Sequence, residues 1–318
     1  MADAAAPPVA DPRTVVITGA SRGLGRATAA HLHRAGWTVL AGMRNPERDM
    51  HRLRVDAGVT EQDRRLVPIR LDLDDEGSVA AAAAEIVERA GAPEGIVHNA
   101  GIAGVGSTEE MPIEMWQQIF STNVLGPVRL TKALLPSMRA AGRGRVVLVS
   151  SQGAIRGMPA IGAYSAAKGA LERWGESLAH EIAPFGLGVS VIIAGTFRTD
   201  ILELTTTWED TSGPYAPMHL GLRRTGDRIM RIARRPSTFA PAVEKALDDA
   251  GPIRRRAVGI DAQLLLYGSR VFPGRLLQRV ISTAVGIPGP GSLHDDPRRH
   301  AGVFPDIADA DPAGPTDR

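Results

Sequence analysis

Short apolar runs, rich in β-branched residues, recur along the first two thirds of the chain. Six of them have the length of a strand: 14–18, 38–43, 66–71, 95–99, 145–150 and 188–194. They are almost continuously apolar, as expected for parallel strands covered on both faces. Longer segments between and after them have the composition of helices: 23–35, 76–90, 112–141 (one helix or two), 164–182 and 237–249. The alternation predicts an α/β fold, a doubly wound parallel sheet with helices on both faces.

The pattern changes after residue 199, where no regular period continues. We interpret the segment at about 197–235 as an irregular lid inserted into a single domain. Residues 257–260 are predicted to form a last short strand, followed by an amphipathic C-terminal extension. The resulting divisions are a flexible N-terminus, one domain that includes the lid, and a disordered tail rich in Pro, Gly and Asp: 1–12, 13–285 and 286–318.

Composition narrows the class of protein. The 318 residues, 43% of them hydrophobic, suffice for a full core, and the formal net charge is only +2. The absence of cysteine excludes disulfides and thiolate metal sites and favours a reducing compartment. The first residues, MADAAAPPVADPRTV, lack the basic and apolar regions of a signal peptide, and no apolar run approaches the ~20 residues of a membrane span. We therefore expect a cytoplasmic protein without a membrane span.

Two arginine-rich runs, 223–235 and 253–257, raise the possibility of an anionic partner. Aromatic residues are not interleaved with them, so we interpret both as solvated helix faces and ends and expect no nucleic-acid partner. Histidines other than His98 are scattered without ligand spacing, and we predict no metal site.

A glycine-rich loop, TGASRGLG, directly follows the first predicted strand and leads into a helix. Gly19, Gly23 and Gly25 would let the backbone approach a phosphate closely, and the N–H groups of a helix start attract anions. The spacing is TGxxxGxG rather than the usual GxGxxG, and an ordinary tight turn is the alternative. The strand–loop–helix context favours nucleotide binding.

The end of the second strand, AGMRNPER, bears on the choice of cofactor. An acidic residue about 20 positions after the glycines would select NAD by binding a ribose hydroxyl. Met43 stands there instead, followed by Arg44, while Arg22 lies inside the glycine loop. Guanidinium groups suit a 2′-phosphate, so NADP(H) is favoured over NAD(H), the alternative being that both arginines are surface residues.

Tyr164 and Lys168 lie four residues apart in YSAAK, on one face of a predicted helix. An ammonium group near a phenol lowers the phenol pKa from about 10, which makes tyrosine a usable general acid or base. The preceding strand ends in Ser150 and Ser151, either of which could hold a substrate oxygen. A carbonyl held by serine and tyrosine beside a nicotinamide could accept hydride while tyrosine supplies the proton.

Taken together, these motifs resemble the short-chain dehydrogenase/reductase family, over roughly residues 13–260. They are TGASRGLG, LDLDD, HNAG, STNVLG, VSS and YSAAK, in that order along the chain. The resemblance implies a Rossmann-type fold and NAD(P)-dependent interconversion of carbonyl and alcohol groups. It also selects Ser151 over Ser150, because the family serine stands 13 residues before the tyrosine.

The resemblance implies a role for each matching residue. Asn123 would hold a water in a proton relay, Ser151 would orient the carbonyl, Tyr164 would act as acid or base, and Lys168 would lower the tyrosine pKa and bind the nicotinamide ribose. Asp72 would contact the adenine. The cofactor-binding residues so implied or inferred are Gly19, Ser21, Arg22, Gly23, Leu24, Gly25, Arg44, Asp72, Leu73, Asn99, Ala100, Gly101, Tyr164, Lys168, Gly195, Thr196 and Thr199.

Two positions depart from the family pattern. His98 replaces the first Asn of NNAG, and we expect this to weaken only a structural hydrogen bond. Ala194 stands where proline is usual in the segment IIAGTFRT, so a less rigid loop is expected there. Neither change involves a residue that is expected to take part in proton transfer.

The substrate is less well specified. Apolar residues of the lid and of the loop after Ser151 suit a lipophilic ketone, aldehyde or secondary alcohol: Ile155, Met158, Phe197, Ile201, Leu202, Leu204, Trp208, Tyr215 and Met218. The C-terminal region resembles that of hydroxysteroid- and retinol-dehydrogenase-like members. Packing of the lid onto the core would explain the same residues.

Two other functions remain as alternatives. One is a cofactor-sensing or regulatory protein without turnover, in which loss of the tyrosine or lysine would be expected. The other is epimerisation or dehydration of a nucleotide sugar, whose family members carry TGxxGxxG and a larger substrate domain. By the resemblance, helices at about 112–141 and 164–182 would form a homodimer or homotetramer.

Overall fold

Seven parallel strands form one sheet, and two short strands lie beside it. In chain order the strands are β1 (Thr14–Thr18), β2 (Thr38–Met43), β3 (Leu66–Arg70), β4 (Gly95–His98), β5 (Gly104–Gly106), β6 (Gly144–Ser151), β7 (Leu187–Ala194), β8 (Thr206–Trp208) and β9 (Ile253–Val258). The large sheet has the order β3-β2-β1-β4-β6-β7-β9, and β5 pairs in parallel with β8. This computed structural model describes residues 13–199 and 205–293.

Helices cover both faces of the sheet. In chain order they are α1 (Gly23–Arg34), α2 (Pro46–Ala57), α3 (Glu76–Ala90), α4 (Ile113–Phe120), α5 (Gly126–Ala141), α6 (Gln152–Ile155), α7 (Gly162–Ile182), α8 (Ala216–Ile232), α9 (Ala240–Leu247), α10 (Ile260–Val271) and α11 (Gly274–Ala284). A π-helical turn, Ser121–Leu125, joins α4 to α5. Apolar side chains of α1, α2 and α9 pack on one face, and those of α3, α5 and α7 on the other.

The strand order reverses between β1 and β4. Chain connections leave the sheet in opposite directions at this point, which opens a crevice outside the carboxyl ends of the strands. The predicted α/β, Rossmann-type doubly wound parallel sheet is therefore confirmed, and the glycine loop after β1 lies at the reversal.

Several elements differ from the sequence prediction. Much of the predicted irregular lid is ordered, because 206–208 forms β8 and 216–232 forms α8. The short α2 was not predicted, since its pattern PERDMHRLRVDA is mostly polar. Segment 112–141 is two α-helices separated by the π turn.

The last strand begins at Ile253 rather than at 257, so interpreting 253–257 as a solvated helix face was wrong. Three consecutive arginines hide the strand pattern. Two of them reach carboxylates on opposite faces of the sheet: Arg256 pairs with Asp249, and Arg255 with Glu172.

Three predicted features lie outside the described residues. They are the flexible segment 1–12, most of the disordered tail (294–318) and the lid residues Ile201, Leu202 and Leu204. Within the described ranges no helix is long and apolar enough to cross a membrane. The same ranges contain no group of three His, Asp or Glu side chains arranged to hold a metal ion.

Candidate active site

The loop after β1 brings the backbone to the start of α1 in a conformation that needs glycine. Gly19 and Gly23 have φ values of 68° and 54°, in the left-handed region. A Cβ atom on Gly25 would lie 2.2 Å from the carbonyl oxygen of Gly19. No side chain caps the first turn of α1, so its N–H groups can bind an anion.

Thr18, at the end of β1, joins this loop to the segment after β4. Its Oγ1 accepts hydrogen bonds from the backbone N–H groups of Asn99 (3.1 Å) and Ala100 (3.0 Å). In return, Asn99 Nδ2 donates to the carbonyl oxygens of Thr18 (3.0 Å) and Gly19 (3.3 Å). The predicted cofactor residues of TGASRGLG and HNAG therefore form one unit at the strand reversal.

The segment after β7 closes over the same point. A Cβ on Gly23 would lie 3.4 Å from Thr199 Cβ, which places Thr199 beside the start of α1. The backbone N–H of Thr196 donates to Asp261 Oδ2 at 2.6 Å, and Gly195 leaves space for that carboxylate. Asp261 thus holds the loop in which Ala194 replaces proline. Because Asp261 lies 65 residues after Thr196, the sequence gave no sign of this contact.

A cleft of about 760 Å³ opens at the carboxyl ends of β2 and β3. Arg44 lines this cleft, and Arg22 lies in the glycine loop. Both side chains are exposed, so a phosphate could reach them. Arg70 also lines the cleft and was not predicted; it forms a salt bridge with Glu47 at 3.0 Å. Asp72 lines the cleft too, whereas Leu73 is buried in the core below it.

The four predicted catalytic residues come together where β6 ends and α7 begins. Ser151 is the last residue of β6, and its hydroxyl lies close enough to the Tyr164 hydroxyl to lower the pKa of that phenol. Lys168 Nζ lies 5.8 Å from the centre of the Tyr164 ring. A Cβ on Gly101 would lie 3.2 Å from Asn123 Oδ1 and 3.5 Å from Lys168 Nζ, so these two side chains meet over the same glycine.

Asn123 occupies the π turn and is almost fully buried. Its Oδ1 accepts from the backbone N–H of Ile102, and its Nδ2 donates to the carbonyl oxygen of Ile102, both at 2.9 Å. Asn123 therefore fixes the loop that carries Asn99 and Gly101. Single-turn π-helices are frequent at functional sites, and here the turn separates two helices that a regular period would join.

Burial has the largest effect on the pKa values of Tyr164 and Lys168. It raises the pKa of Tyr164, and the hydrogen bond from Ser151 only partly opposes this. The net direction for Tyr164 is thus opposite to the one expected from a nearby ammonium alone, because burial is the largest cause of the shift. Burial also lowers the pKa of Lys168 to about 8, against the opposing charge of Glu172. At neutral pH the phenol is protonated and the lysine is mostly cationic.

Glu172 lies one helical turn beyond Lys168 and is a site residue that the sequence analysis missed. It is only 2% exposed. Ser150 Oγ donates to Glu172 Oε1, and an Arg255 guanidinium nitrogen donates to Glu172 Oε2, each at 2.6 Å. Ser150 therefore faces Glu172, whereas Ser151 affects the pKa of Tyr164, which supports the choice of Ser151 over Ser150. Lys168 Nζ itself donates to the carbonyl oxygen of Val149 at 2.8 Å.

His98 occupies a core position below the site. Its Nε2 lies 2.8 Å from Thr131 Oγ1, and its ring contacts Trp174 edge-on at 6.2 Å between centroids. Burial, with a smaller effect from Lys168, lowers the pKa of His98 to about 3. The imidazole is therefore neutral and makes its own structural hydrogen bond at the place where the family has asparagine.

An apolar cluster adjoins the start of α7 on the side of β5 and β8. Ala163 and Ala167, which flank Tyr164 on α7, pack there with Met111 and Ile119. Around these lie partly buried residues that include Trp208, from the predicted set, and three that were not predicted: Met115, Trp116 and Phe120. The apolar positions of EEMPIEMWQQIF could have identified these three.

Not every predicted pocket residue belongs to this cluster. Phe197 is 5% exposed and packs edge-on against Phe239 in the core, with ring centroids 5.4 Å apart. Ile155 packs against the core on the other face of the sheet. The Tyr215 hydroxyl donates to Glu109 Oε2 at 2.8 Å, so that side chain holds the lid rather than lining an apolar surface.

A buried polar group, which we call the lid clamp, ties the segment 205–232 to the loop after β5. It consists of Glu110, Glu209 and His219. Glu110 Oε2 lies 2.7 Å from His219 Nε2 and accepts from the Ser107 N–H at 3.1 Å, while Glu110 Oε1 accepts from the Asp210 N–H at 3.1 Å. Despite burial, which raises the pKa of Glu110, these hydrogen bonds lower it overall. An ionised carboxylate thus holds the lid beside the apolar cluster.

Comparison with known proteins agrees with this geometry. The family described as short chain dehydrogenase matches residues 13–210. The chain is 31% identical over 274 residues to 3-ketodihydrosphingosine reductase of Bacteroides thetaiotaomicron, covering 84% of this chain and 96% of that protein. It is 32% identical over 289 residues to retinol dehydrogenase 5 of Mus musculus, with coverage of 84% and 87%.

A solved structure is also similar. A short-chain dehydrogenase from Streptomyces avermitilis superimposes with a TM-score of 0.71 at 34% identity, covering 86% of this chain and 96% of that one. The family match over residues 13–210 includes the glycine loop and Ser151, Tyr164 and Lys168. The chain therefore belongs to the short-chain dehydrogenase family and is an NAD(P)-dependent oxidoreductase.

Proposed function

We propose that this enzyme interconverts a lipophilic ketone or aldehyde and the corresponding alcohol, with NADP(H) preferred over NAD(H). The observation that carries the proposal is the meeting of Ser151, Tyr164 and Lys168 beside an apolar cluster closed by the lid. Two hydroxyl groups and one ammonium group converge where β6 ends, which is the arrangement that proton transfer to a carbonyl oxygen requires.

Residues of the chain fit a dinucleotide. The N–H groups at the start of α1, the glycines and Thr199 would hold the pyrophosphate, and Asp72 lies in the cleft where an adenosine would extend. When bound, the nicotinamide cofactor supplies or takes up the hydride. At the end of β2, Arg44 is exposed and makes no salt bridge within the described residues, whereas nearby Glu47 is paired with Arg70. This favours a 2′-phosphate.

The proton chemistry belongs to the side chains. In the reducing direction the Ser151 and Tyr164 hydroxyls donate hydrogen bonds to the carbonyl oxygen, and Tyr164 gives up its proton to that oxygen as the carbon gains hydride. The resulting phenolate is stabilised by the Lys168 ammonium nearby. The raised pKa of Tyr164 keeps the proton available at neutral pH. The charge of Lys168 is lost above about pH 8.

Two observations support a lipophilic substrate. The side chains next to Tyr164 on the lid side are apolar or aromatic, including Met115, Trp116 and Trp208. The names of two relatives refer to 3-ketodihydrosphingosine and to retinol, both of which are lipids.

The first test follows nicotinamide absorbance with NADPH and then NADH against a panel of lipophilic ketones and aldehydes. We expect turnover that prefers NADPH and falls at least about 1,000-fold in Tyr164→Phe, since that variant loses the proton donor. Tyr267→Phe is the matched control, because that tyrosine is 60% exposed on α10, outside the Ser151–Tyr164–Lys168 group. NADPH binding without turnover across the panel would instead favour a cofactor-sensing protein.

A second experiment tests the cofactor preference. Arg44→Asp should lower kcat/KM for NADPH by about tenfold or more, because a charge-assisted hydrogen bond to phosphate is lost. Arg143 is an exposed arginine directly before β6, at the amino ends of the strands, and Arg143→Asp should leave kcat/KM for NADPH unchanged. Equal losses with NADPH and NADH in Arg44→Asp would contradict the 2′-phosphate assignment.

The association expected from the family resemblance remains part of the proposal. Helices α4, α5 and α7 would form the contact between subunits. Light scattering on the purified chain tests it, and a mass of about 34 kDa, that of one chain, would contradict it.

A further inference from the structure

Helix α10 has two apolar faces. One, formed by Ala262 and Leu266, is buried against the core. The other is exposed and follows helical spacing: Ile260, Leu264, Tyr267 and Val271 are 60%, 69%, 60% and 75% exposed. A surface helix normally places polar residues opposite its core face. The second apolar stripe therefore needs another explanation.

Helix α11 continues this surface. Leu277 is its only buried residue, while Leu276 and Val280 are 49% and 54% exposed on the neighbouring row. Phe272, between the two helices, is 53% exposed. We use the name C-terminal face for the outward stripe of α10, Phe272 and the outward pair of α11, which follow one another along the chain.

Apart from Asp261, the charged side chains of α10 and α11 have one sign. Arg270, Arg275 and Arg279 are all exposed on or beside it. From 262 to 293 the sequence contains no Asp or Glu. The one acidic residue of α10, Asp261, is directed to the backbone of Thr196 and does not compensate these arginines.

The face also lies close to the active site. Helix α10 packs against α6, the short helix that begins directly after Ser151. At the start of α11, a Cβ on Gly274 would lie 3.1 Å from the Arg156 guanidinium, just beyond α6. A surface that covers the C-terminal face would thus adjoin the segment that carries the catalytic serine.

We propose that the C-terminal face binds in the plane of a lipid bilayer containing anionic lipids. Two consecutive amphipathic helices with an exposed apolar side and flanking arginines have the composition of helices that lie in a membrane interface without spanning it. Long arginine side chains can bury their stems while the guanidinium groups meet lipid phosphates.

Charge favours a bilayer over a second copy of the chain. A twofold contact would place the same patch on both subunits, so three arginines on each side would meet a surface without carboxylates. An anionic bilayer provides the missing negative charge together with an apolar layer. It would also hold a lipophilic substrate next to α6, but the binding does not depend on that substrate.

Co-sedimentation of the full chain with vesicles tests the proposal. Vesicles of phosphatidylcholine and phosphatidylglycerol, mixed two to one, are compared with pure phosphatidylcholine. We expect binding to the mixed vesicles that weakens as salt is added and is at least about tenfold weaker to the neutral ones. Each arginine near an anionic surface contributes a factor of about five, so Arg275→Gln with Arg279→Gln should weaken binding more than tenfold.

The apolar contribution is tested with Leu264→Glu and Val271→Glu together, which should weaken binding by at least about tenfold. Both side chains are mostly exposed, so thermal unfolding should be unchanged. Val55→Glu with Val87→Glu on α2 and α3 is the matched control, since those valines are 65% and 39% exposed elsewhere, and it should bind like the parent protein.

Two outcomes would overturn the proposal: failure of the parent protein to bind the mixed vesicles, and equal loss of binding in the control pair. If the parent protein does not bind, a lower molecular mass by light scattering for Leu264→Glu with Val271→Glu would make the face an interface between copies. None of these readouts uses turnover, so failure of the proposed reaction would be seen separately.

Discussion

His98 is a neutral imidazole enclosed by Thr131 and Trp174 in the core, and its burial has a consequence for acid stability. In the unfolded chain a histidine takes up a proton below about pH 6.5. In the folded protein His98 does so only near pH 3, because its pKa is lowered to about 3. Between these values the unfolded state binds more protons, so stability falls as the pH falls through this window.

We therefore expect His98 alone to lower the free energy of unfolding by about 2 kcal/mol between pH 7 and pH 5. In His98→Asn that part of the pH dependence disappears, although the variant is less stable at pH 7 because the ring no longer packs on Trp174. Urea unfolding at the two pH values measures the difference. An unchanged slope with pH in His98→Asn would show that His98 is not the group responsible.

A second residue-scale effect concerns the charge of Lys168. Glu172 opposes the lowering of the lysine pKa by burial. Glu172→Gln removes the negative charge while keeping the side chain's size, so the pKa of Lys168 should fall further, by about half a unit or more. Because the chain has only three lysines, Lys132, Lys168 and Lys245, carbon-13 labelling of the lysine Cε atoms lets the titration be followed by NMR.

Two variants separate charge from packing in this test. Ser150→Ala removes a hydrogen bond to Glu172 but leaves the carboxylate, and it should move the lysine titration much less. Glu176→Gln alters a surface carboxylate paired with Arg173 on the same helix and should not move it. If Ser150→Ala and Glu172→Gln shift the titration equally, the effect is structural rather than electrostatic.

At the scale of single elements, the strand–loop–helix unit at 14–34 depends on one crowded glycine. A methyl group on Gly25 would overlap the Gly19 carbonyl and the Asn99 amide, which are hydrogen-bonded to each other. The loop would have to open, and with it the anion site at the start of α1. Close approach of the backbone, rather than conformational freedom, requires glycine here, since Gly25 lies within the helix.

Gly25→Ala should therefore destabilise the protein by about 1–3 kcal/mol and remove measurable NADPH binding. Gly226→Ala is the contrasting variant, because Gly226 lies inside α8 with nothing near its missing Cβ. It should stabilise the protein by about 0.5–1 kcal/mol, the helix preference of alanine over glycine, and leave binding unchanged. Thermal unfolding and NADPH fluorescence titration measure both effects. Retained binding in Gly25→Ala would contradict the role given to this loop.

At the scale of the whole molecule, the lid is attached by contacts between distant parts of the chain. The lid clamp joins Glu110 to His219, 109 residues apart, and β5 pairs with β8 across a similar separation. The Glu110 carboxylate also accepts hydrogen bonds from the backbone N–H groups of Ser107 and Asp210. Loss of its charge should loosen the lid without disturbing the sheet.

In Glu110→Gln we expect faster hydrogen exchange in β8 and α8, and a substrate KM raised about tenfold, while NADPH affinity stays within about twofold. Glu114→Gln, an exposed carboxylate at the start of α4, is the control. Exchange that is unchanged in Glu110→Gln would mean that pairing of β5 with β8 holds the lid alone. A loss of NADPH affinity equal to the loss for substrate would contradict a local role.

The sequence by itself determined the features that depend on neighbours along the chain. Continuous apolar runs predicted six strands, all of which occur in the parallel sheet. The glycine loop and the Tyr164–Lys168 spacing predicted site residues that the fold brings to one edge of the sheet. These signals are local, because strand period, loop geometry and the i, i+4 spacing act within a few residues.

The tertiary structure alone decided what lies next to these elements. Arg255 looked like part of a solvated charge run until the sheet placed it beside Glu172, and Asp261 had no visible connection to Thr196. The pKa directions of Tyr164 and Lys168 likewise depend on their loss of solvent in the folded protein, which is the largest cause of both shifts. Burial and long-range pairing depend on how distant segments pack, and no period along the chain encodes them.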